Sequence, residues 1–577
     1  MSAGLVLGGI AFALSRVNEV ITIVKFIDNC IKDSKAFGKD VRGFHTRITT
    51  EVARLNIFQA LLNEEDGDVP RFTTLPSVCQ DAILGLIQEL EVAFASYRTY
   101  VNENSLGPLQ QFYNSTISLE DQPLQIEQKA TRFSESTQRD ASLTVLALWG
   151  LWRKSKLTKL LSELQGWNDQ LMNLILCGVC FGPTTPLRGN RQISNDQRLA
   201  TGLNLRKLRL EQGDADSSSL AILGRGCSLL TTDPYRRVQT LVYPEQEGHA
   251  RREEVLVEFK PYTLARRRTE PSDVLLRRVA SLANLLALPN ACEAGFRTLT
   301  CLAVVRQQTS PPRFVYAFRL PQTTAPGFPP RSLLDLIGAK GLDIGHRPSL
   351  EERFAVARCL TTAVFQMHSV DWLHKSIRSE NVLFGHENLS EDPAGRRPSY
   401  TSPYLVGFEF SREQSDITSN EQDGMLIRNL YRHPDRQGAP EDGGPEIRFG
   451  PLHDLYAIGV VMLEIGLWRP AMEFEKDYGR DPWVIRGKLQ EHAAARLPFY
   501  MGQDYTNAVL ACLKGSFGTG VANSQAVSEL KTDEERASLN IAFFENVIQV
   551  LKLAKTDKLF GAVQLTGYMC HLFDIRT

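Results

Sequence analysis

The sequence predicts an α+β multidomain chain, with an all-helical bundle first and then a two-lobed part whose small lobe is strand-rich and whose large lobe is helical. Three observations predict it. Over roughly the first two hundred residues, apolar positions recur three and four apart, the period of a helix buried on one side. The stretch "FGPTTPLRGNRQISNDQR" (181–198) is then rich in Pro, Gly, Asn and Arg, a composition that separates cores. Beyond it come short β-rich runs divided by turn residues, and after Leu320 the helical period returns. The expected units are residues 1–195 and 196–577, the second divided into a small lobe of about 205–322 and a large lobe of about 323–577. A chain of 577 residues exceeds what one core organises.

The opening element is a helix with Leu7, Ile10, Leu14, Val17, Ile21 and Val24 on one stripe. Up to Ser15 it carries no charge and is apolar or small on every face, so it must be deeply buried or meet lipid. Gly4 and Gly8 form a G-x-x-x-G, which permits close helix packing in membranes. No basic segment precedes it, so it is not read as a secretory signal, and no run of about 18 apolar residues predicts a permanent membrane span. Its expected resting place is its own bundle, with Gly4, Leu7, Gly8, Ile10 and Leu14 as the candidate membrane-acting residues of a second state. Further helices run through "VRGFHTRITTEVARLNIFQALLNEE", "PSVCQDAILGLIQELEVAFASYRTYV" and "SLTVLALWGLWRKSKLTKLLSELQGWNDQLMNLIL". Each has an apolar face to bury against the others.

The strands of the second part are "RRVQTLVYPEQ", "EEVLVEFKPY", "FRTLTCLAVVRQ" and "RFVYAFRLP", with the helix "PSDVLLRRVASLANLLAL" after the second of them. A formal charge of -1 and an apolar fraction of 43% are ordinary for a soluble protein and give no argument for a nucleic-acid partner. The ten cysteines are scattered, which reads as reduced thiols in a cytoplasmic protein. Cys177 and Cys180 form a C-x-x-C without a second pair at ligand spacing, so no metal site is expected.

Several segments of this second part, in order, resemble the protein kinase fold. "LHKSIRSENVLFG" has the rhythm of the catalytic loop, with His374 at its head and Asn381 at the metal-binding asparagine. "YLVGFEFSR" resembles the strand and D-F-G segment, with Gly407, Phe408 and Glu409 at the three positions. "YRHPD" resembles the Y-x-A-P-E element, with Asp435 in place of the glutamate. "HDLYAIGVVMLEIGLWRP" resembles the buried central helix, with Asp454 as the aspartate that braces the catalytic loop. "VLVEFK" resembles V-A-I-K, making Lys260 the strand lysine. The resemblance implies structural roles for His374, Phe408, Asp435 and Asp454.

The parts that carry phosphoryl transfer are degraded. Ser376 stands where the base aspartate belongs, and its hydroxyl accepts no proton near neutral pH. Gly407 replaces the metal aspartate, and Arg378 the lysine two residues after the base. The helix after Lys260 offers no glutamate partner, and Gly224 and Gly226 lack a third glycine at phosphate-loop spacing. No catalytic residue is therefore expected, and no cofactor is required. ATP stays open, with Lys260 and Asn381 as its candidate contacts. The competing readings are a divergent active kinase using Glu380 or Glu409 as surrogate carboxylates, and a non-enzymatic scaffold.

The first 200 residues resemble the HeLo domain of fungal prion-inhibition and propagation proteins. The resemblance rests on the small apolar first helix, the turn Phe37-Gly38-Lys39-Asp40, the R-I-x-x-x-x-A-R-L of Arg47 to Leu55, and "KLTKLLSELQGWNDQLMNLI" as closing helix. It implies a bundle whose first helix leaves it to enter a membrane and kill the cell. The expectation is thus a fungal signalling protein in which a pseudokinase regulates a membrane-acting bundle. Self-association and membrane lipid are its expected partners on activation, and an upstream protein supplies the signal.

Overall fold

The computed structural model describes residues 15, 17, 18, 20, 21, 24, 38–63, 65–66, 69–70, 72, 75–89 and 154–181, then 226–230, 237–244, 251–262, 271–287, 295–321, 329–338, 347–370, 372–386, 397–408, 412–413, 426–437, 449–479, 481–517 and 532–551. The chain separates into two compact units, Met1–Ala200 and Thr201–Thr577.

The first unit is built on helices. α1 (Gly38–Asn63) buries Ile48, Val52, Leu55 and Phe58, three to four residues apart, which is the stripe a one-sided helix needs. Residues 77–89 are helical and bury Cys79, Ile83, Leu86 and Ile87. α2 (Lys154–Phe181) buries Leu161, Leu164, Leu171 and Ile175. Between α1 and 77–89 lies a two-residue hairpin, β1 (Glu65–Asp66) and β2 (Val69–Pro70). Polar contacts fix how α1 meets α2: Asn168 donates to the Glu51 carbonyl at 3.0 Å and its carboxylate at 2.8 Å, and Arg54 pairs with Asp169 at 2.8 Å. Arg54 is the arginine of the A-R-L run. Of the opening stripe, Val17, Ile21 and Val24 are buried, and Asn18 accepts from Gln59 at 2.5 Å. Gly4, Leu7, Gly8, Ile10 and Leu14 lie outside the described residues. No helix among the described residues is long and apolar enough to cross a membrane.

The second unit opens with a five-stranded antiparallel sheet: β3 (Ser228–Leu230), β4 (Val238–Val242), β5 (Arg252–Pro261), β6 (Cys301–Gln307) and β7 (Arg313–Arg319), in the order β3-β4-β5-β7-β6. Four of these are the expected strands. β3 is an addition at the edge, formed by the segment read above as a glycine loop. Three residues with only the middle one half-buried leave little apolar signal to find. One face of the sheet packs Leu241, Val255, Val257, Leu302, Val315 and Ala317 into a core. The residues between them face the other way: Leu256 opposite Phe318, Glu258 opposite Tyr316, and Lys260 opposite Phe314. α3 (Asp273–Leu286) follows β5.

The remainder is mainly helical: α4 (Leu350–Ser369), α5 (Pro451–Leu467), α6 (Pro482–Met501), α7 (Gln503–Lys514) and α8 (Asp533–Phe543). A reciprocal cap starts α4, with Ser349 Oγ accepting the Glu352 N–H and Glu352 accepting the Ser349 N–H. α5 is buried from Pro451 to Gly466, and its few polar residues, His453, Asp454 and Glu464, are buried with it. At Gly459 a Cβ would fall 2.8 Å from Cys512 Cβ, so glycine is what lets α7 pack this closely. Short strands frame the loops between α4 and α5: β8 (Arg331–Ser332), β9 (Trp372–Leu373), β10 (Val382–Phe384), β11 (Tyr404–Leu405) and β12 (Arg412–Glu413). β10 pairs with both β8 and β11, and β9 with β12.

Candidate functional site

The first turn of α5 delivers Asp454, 1% exposed, beneath the loop that follows β9. Its Oδ2 accepts the His374 N–H at 2.8 Å, its Oδ1 accepts the Lys375 N–H at 2.9 Å, and His368 Nε2 lies 3.4 Å away. Burial pushes this carboxyl up, but the hydrogen bond and charge of His368 outweigh it, and the net shift is downward. These bonds hold Lys375 at φ +67°, a left-handed conformation that a side chain rarely adopts. The His374 ring packs 4.5 Å from the Phe408 ring, and its Nδ1 accepts the Ser376 N–H at 3.2 Å. Burial lowers its pKa to about 4, so it packs as a neutral imidazole.

Ser376 and Asn381 are both buried and bonded to each other. Asn381 Nδ2 donates to the Ser376 carbonyl at 2.8 Å and hydroxyl at 3.1 Å, while the Asn381 carbonyl accepts the Val406 N–H at 2.9 Å. That brings β11 and the turn after it alongside. Gly407 has φ +92°, and a Cβ there would fall 2.1 Å from Asn381 Nδ2. The asparagine amide therefore stands where any residue-407 side chain would begin. No carboxylate fits at 407 without moving it.

From the sheet, β5 contributes Glu258, 4% exposed. Its Oε1 accepts the Gly407 N–H at 2.6 Å and its Oε2 the Phe408 N–H at 2.8 Å. Lys260, expected above as the strand lysine, is half-buried two residues further along and paired in register with Phe314. Just before β4, Arg237 Nη1 donates to the Glu380 carbonyl at 3.3 Å. Arg378 forms an ion pair of 3.1 Å with the half-exposed Glu380, which engages one of the two surrogate carboxylates. The other, Glu409, lies outside the described residues, as does Gly224.

Asp435 belongs to a separate cluster. His433 Nδ1 and His453 Nε2 each lie 2.9 Å from its Oδ1, and the three ligand-type atoms fall within 4.8 Å of one another. A divalent metal would need both nitrogens as lone pairs. The opposite ring nitrogens are engaged too: His453 Nδ1 lies 2.7 Å from the Gly450 nitrogen and 3.1 Å from its carbonyl oxygen, and Arg486 Nη1 lies 3.4 Å from His433 Nε2. The Arg486 guanidinium adds positive charge beside the trio, and the two imidazoles brace Asp435 between the segment at 433–435 and the start of α5. Burial raises the Asp435 carboxyl, and the two histidines outweigh it, holding it well below the usual carboxylate range. One further buried acid, Glu464, accepts from Ala471 N at 2.7 Å and from the Ser379 and Tyr431 hydroxyls. Burial dominates there and raises it to about 7.

The structure thus brings His374, Ser376, Asn381, Gly407, Phe408 and Asp454 together and leaves Asp435 in its own brace. Sequence reasoning missed Glu258, Arg237 and Glu464. Two of these had a visible signal, a lone acid inside an apolar run: "VLVEF" for Glu258 and "VVMLEIGL" for Glu464. Among curated proteins, none matches this chain. Residues 4–179, however, match the family model HeLo, prion-inhibition and propagation, and the N-terminal part is similar to that family.

Proposed function

We propose that this is a cell-death signalling protein in which a kinase-like part without phosphoryl-transfer activity regulates a HeLo-like bundle that acts on membranes. The bundle half of this reading is supported by the match over residues 4–179 and by the buried Val17, Ile21 and Val24 of its first helix. The kinase-like half is supported by an antiparallel sheet with a helix after its third strand, and by a helical part in which Asp454 braces the His374 loop.

The loss of catalysis rests on one observation, the Asn381 amide packed against Gly407. Phosphoryl transfer needs metals to neutralise charge between the phosphates, and glycine supplies no ligand. Glu258 makes the cleft more hostile to a nucleotide. Like charges about 4 Å apart repel by roughly 4 kcal/mol at an effective dielectric constant near 20.

For the bundle, release of the first helix uncovers an apolar surface that water penalises by roughly 25 cal/mol per Å². Fifteen uncharged residues reach only about 22 Å as a helix, short of a roughly 30 Å hydrocarbon core. Crossing it draws in Arg16 and Glu19, which an assembly of several copies shelters better than a lone helix. The test is vesicle leakage and phosphotransfer on the same preparation of the full chain. Leakage is expected from the intact chain and not from a folded chain lacking residues 1–15, with no phosphate transferred by either. Equal leakage from both removes the membrane mechanism. Phosphorylation abolished by Lys260→Met restores the enzyme reading.

A further inference from the structure

Glu258 is an acid in the middle of an apolar strand, with Val257 and Leu256 buried beside it. A buried carboxylate persists only where donors compensate its lost hydration. Its donors are two consecutive main-chain N–H groups, Gly407 at 2.6 Å and Phe408 at 2.8 Å, 149 and 150 residues away in the chain. Gly407 at φ +92° turns both groups to one side, making the kind of main-chain nest that binds anions. The anion it holds is the chain's own.

The neighbouring strand adds a contact of opposite polarity. The Arg237 carbonyl, just before β4, accepts the Val257 N–H at 2.7 Å, so Arg237 lies opposite Val257, the residue before Glu258, and its guanidinium reaches the Glu380 carbonyl at 3.3 Å. An acceptor and a donor from adjacent strands thus tie the sheet to two segments of the helical part. These two segments are themselves joined by the Val406 to Asn381 bond. Deeper on the same sheet face, Leu256 and Phe318 are buried opposite each other.

We propose that Glu258 is a built-in anion that latches the sheet onto the Gly407–Phe408 turn and occupies the turn's anion site, so that external phosphate is excluded. Arg237 is the second point of the latch. Opening of the cleft then requires both contacts to break, which makes them the switch between a closed and an open form of this unit. The latch requires no membrane action by the bundle.

Amide hydrogen exchange on the full chain tests it, reading the 404–408 segment against strand β7 as internal reference. Glu258→Gln keeps the shape but turns an NH₂ toward one of the N–H donors. It should speed exchange at Gly407 and Phe408 roughly tenfold or more while β7 stays unchanged. Glu258→Ala should do the same, and inorganic phosphate should restore its protection at these amides while leaving wild type unaltered. Glu258→Asp, with the charge kept on a shorter side chain, should fall between. Unchanged protection in the Gln and Ala variants overturns the latch. So does equal loss of protection in β7, which would make Glu258 a stability residue, and so does phosphate that protects wild type as well as the Ala variant. Failure here leaves the signalling reading standing. Leakage indifferent to residues 1–15 removes that reading and leaves the latch.

Discussion

Two buried carboxylates of the second unit perform the same operation in different places. Asp454, from the first turn of α5, takes the consecutive N–H groups of His374 and Lys375. Glu258, from β5, takes those of Gly407 and Phe408. The geometry is common to both: a carboxyl group, two short bonds from consecutive main-chain N–H groups and almost complete burial. The elements joined differ. Asp454 ties a loop to the helix beneath it, inside one body of packed side chains. Glu258 ties a sheet to a loop of the helical part. One contact builds a core, and the other decides whether two parts of a core stay together.

The comparison breaks most easily at Asp454. Asp454→Ala strands two buried donors and removes what holds Lys375 at positive φ, so a loss of about 2–5 kcal/mol is expected. Chemical denaturation of the full chain, followed by a probe in the second unit, reads it. A variant that melts like wild type contradicts the bracing role.

Gly407→Asp probes the turn from the other side. The new Cβ meets Asn381 Nδ2 at 2.1 Å, and the backbone stays at φ +92°, so about 1–3 kcal/mol of destabilisation is expected, with no gain of phosphotransfer. An Asp variant as stable as wild type would mean that Asn381 yields freely.

The pH dependence separates a third acid from these two. Glu464 is raised to about 7, so the folded chain holds a proton that the unfolded chain releases, and this group makes stability fall between about pH 4.5 and 7. His374 is lowered to about 4, so the unfolded chain takes a proton that the folded chain refuses, and stability rises with pH between about 4 and 6.5. The slopes oppose each other. Glu464→Gln, which keeps the neutral form at every pH, should expose the rising slope. Parallel pH profiles for variant and wild type would show that Glu464 ionises freely.

The smallest effect is expected in the bundle. Glu51 is also a buried acid, but it takes side-chain donors, Asn168 and Arg54, in place of main-chain pairs. Arg54→Ala leaves the Asn168 bond in place but removes both the nearly buried Glu51 contact and the Asp169 pair, so about 1–2 kcal/mol is expected from a melt. A larger loss would make the bundle as dependent on its polar contacts as the second unit is.

Much of this was legible in the sequence, and the exceptions have physical reasons. The stripe Val17, Ile21 and Val24 could be read because helical period and burial are the same fact. The loop from His374 to Asn381 and the acid on the buried helix could be read because their spacing is local. Glu258 could not be told from Lys260. Residues 258 and 260 share one face of a strand, and period two does not say which of them meets the cleft. Only the pairing of β5 with β7 fixes that. The contact of Asn381 with Gly407 was invisible for another reason: it joins residues of separate segments, and no property of either residue announces the other. β3 escaped because three residues at an edge carry almost no pattern.

The amide of Asn381 against Gly407 also couples distant positions of the chain. A carboxylate at 407 collides with Asn381 as long as that side chain keeps its place, and Asn381 keeps it by bonding Ser376. A lysine at 258 would repel where the glutamate now accepts. A side chain at 407 therefore displaces Asn381, and moving Asn381 gives up its bonds to Ser376. The three positions are coupled: each group keeps its place through another, so a change at one is felt at all three.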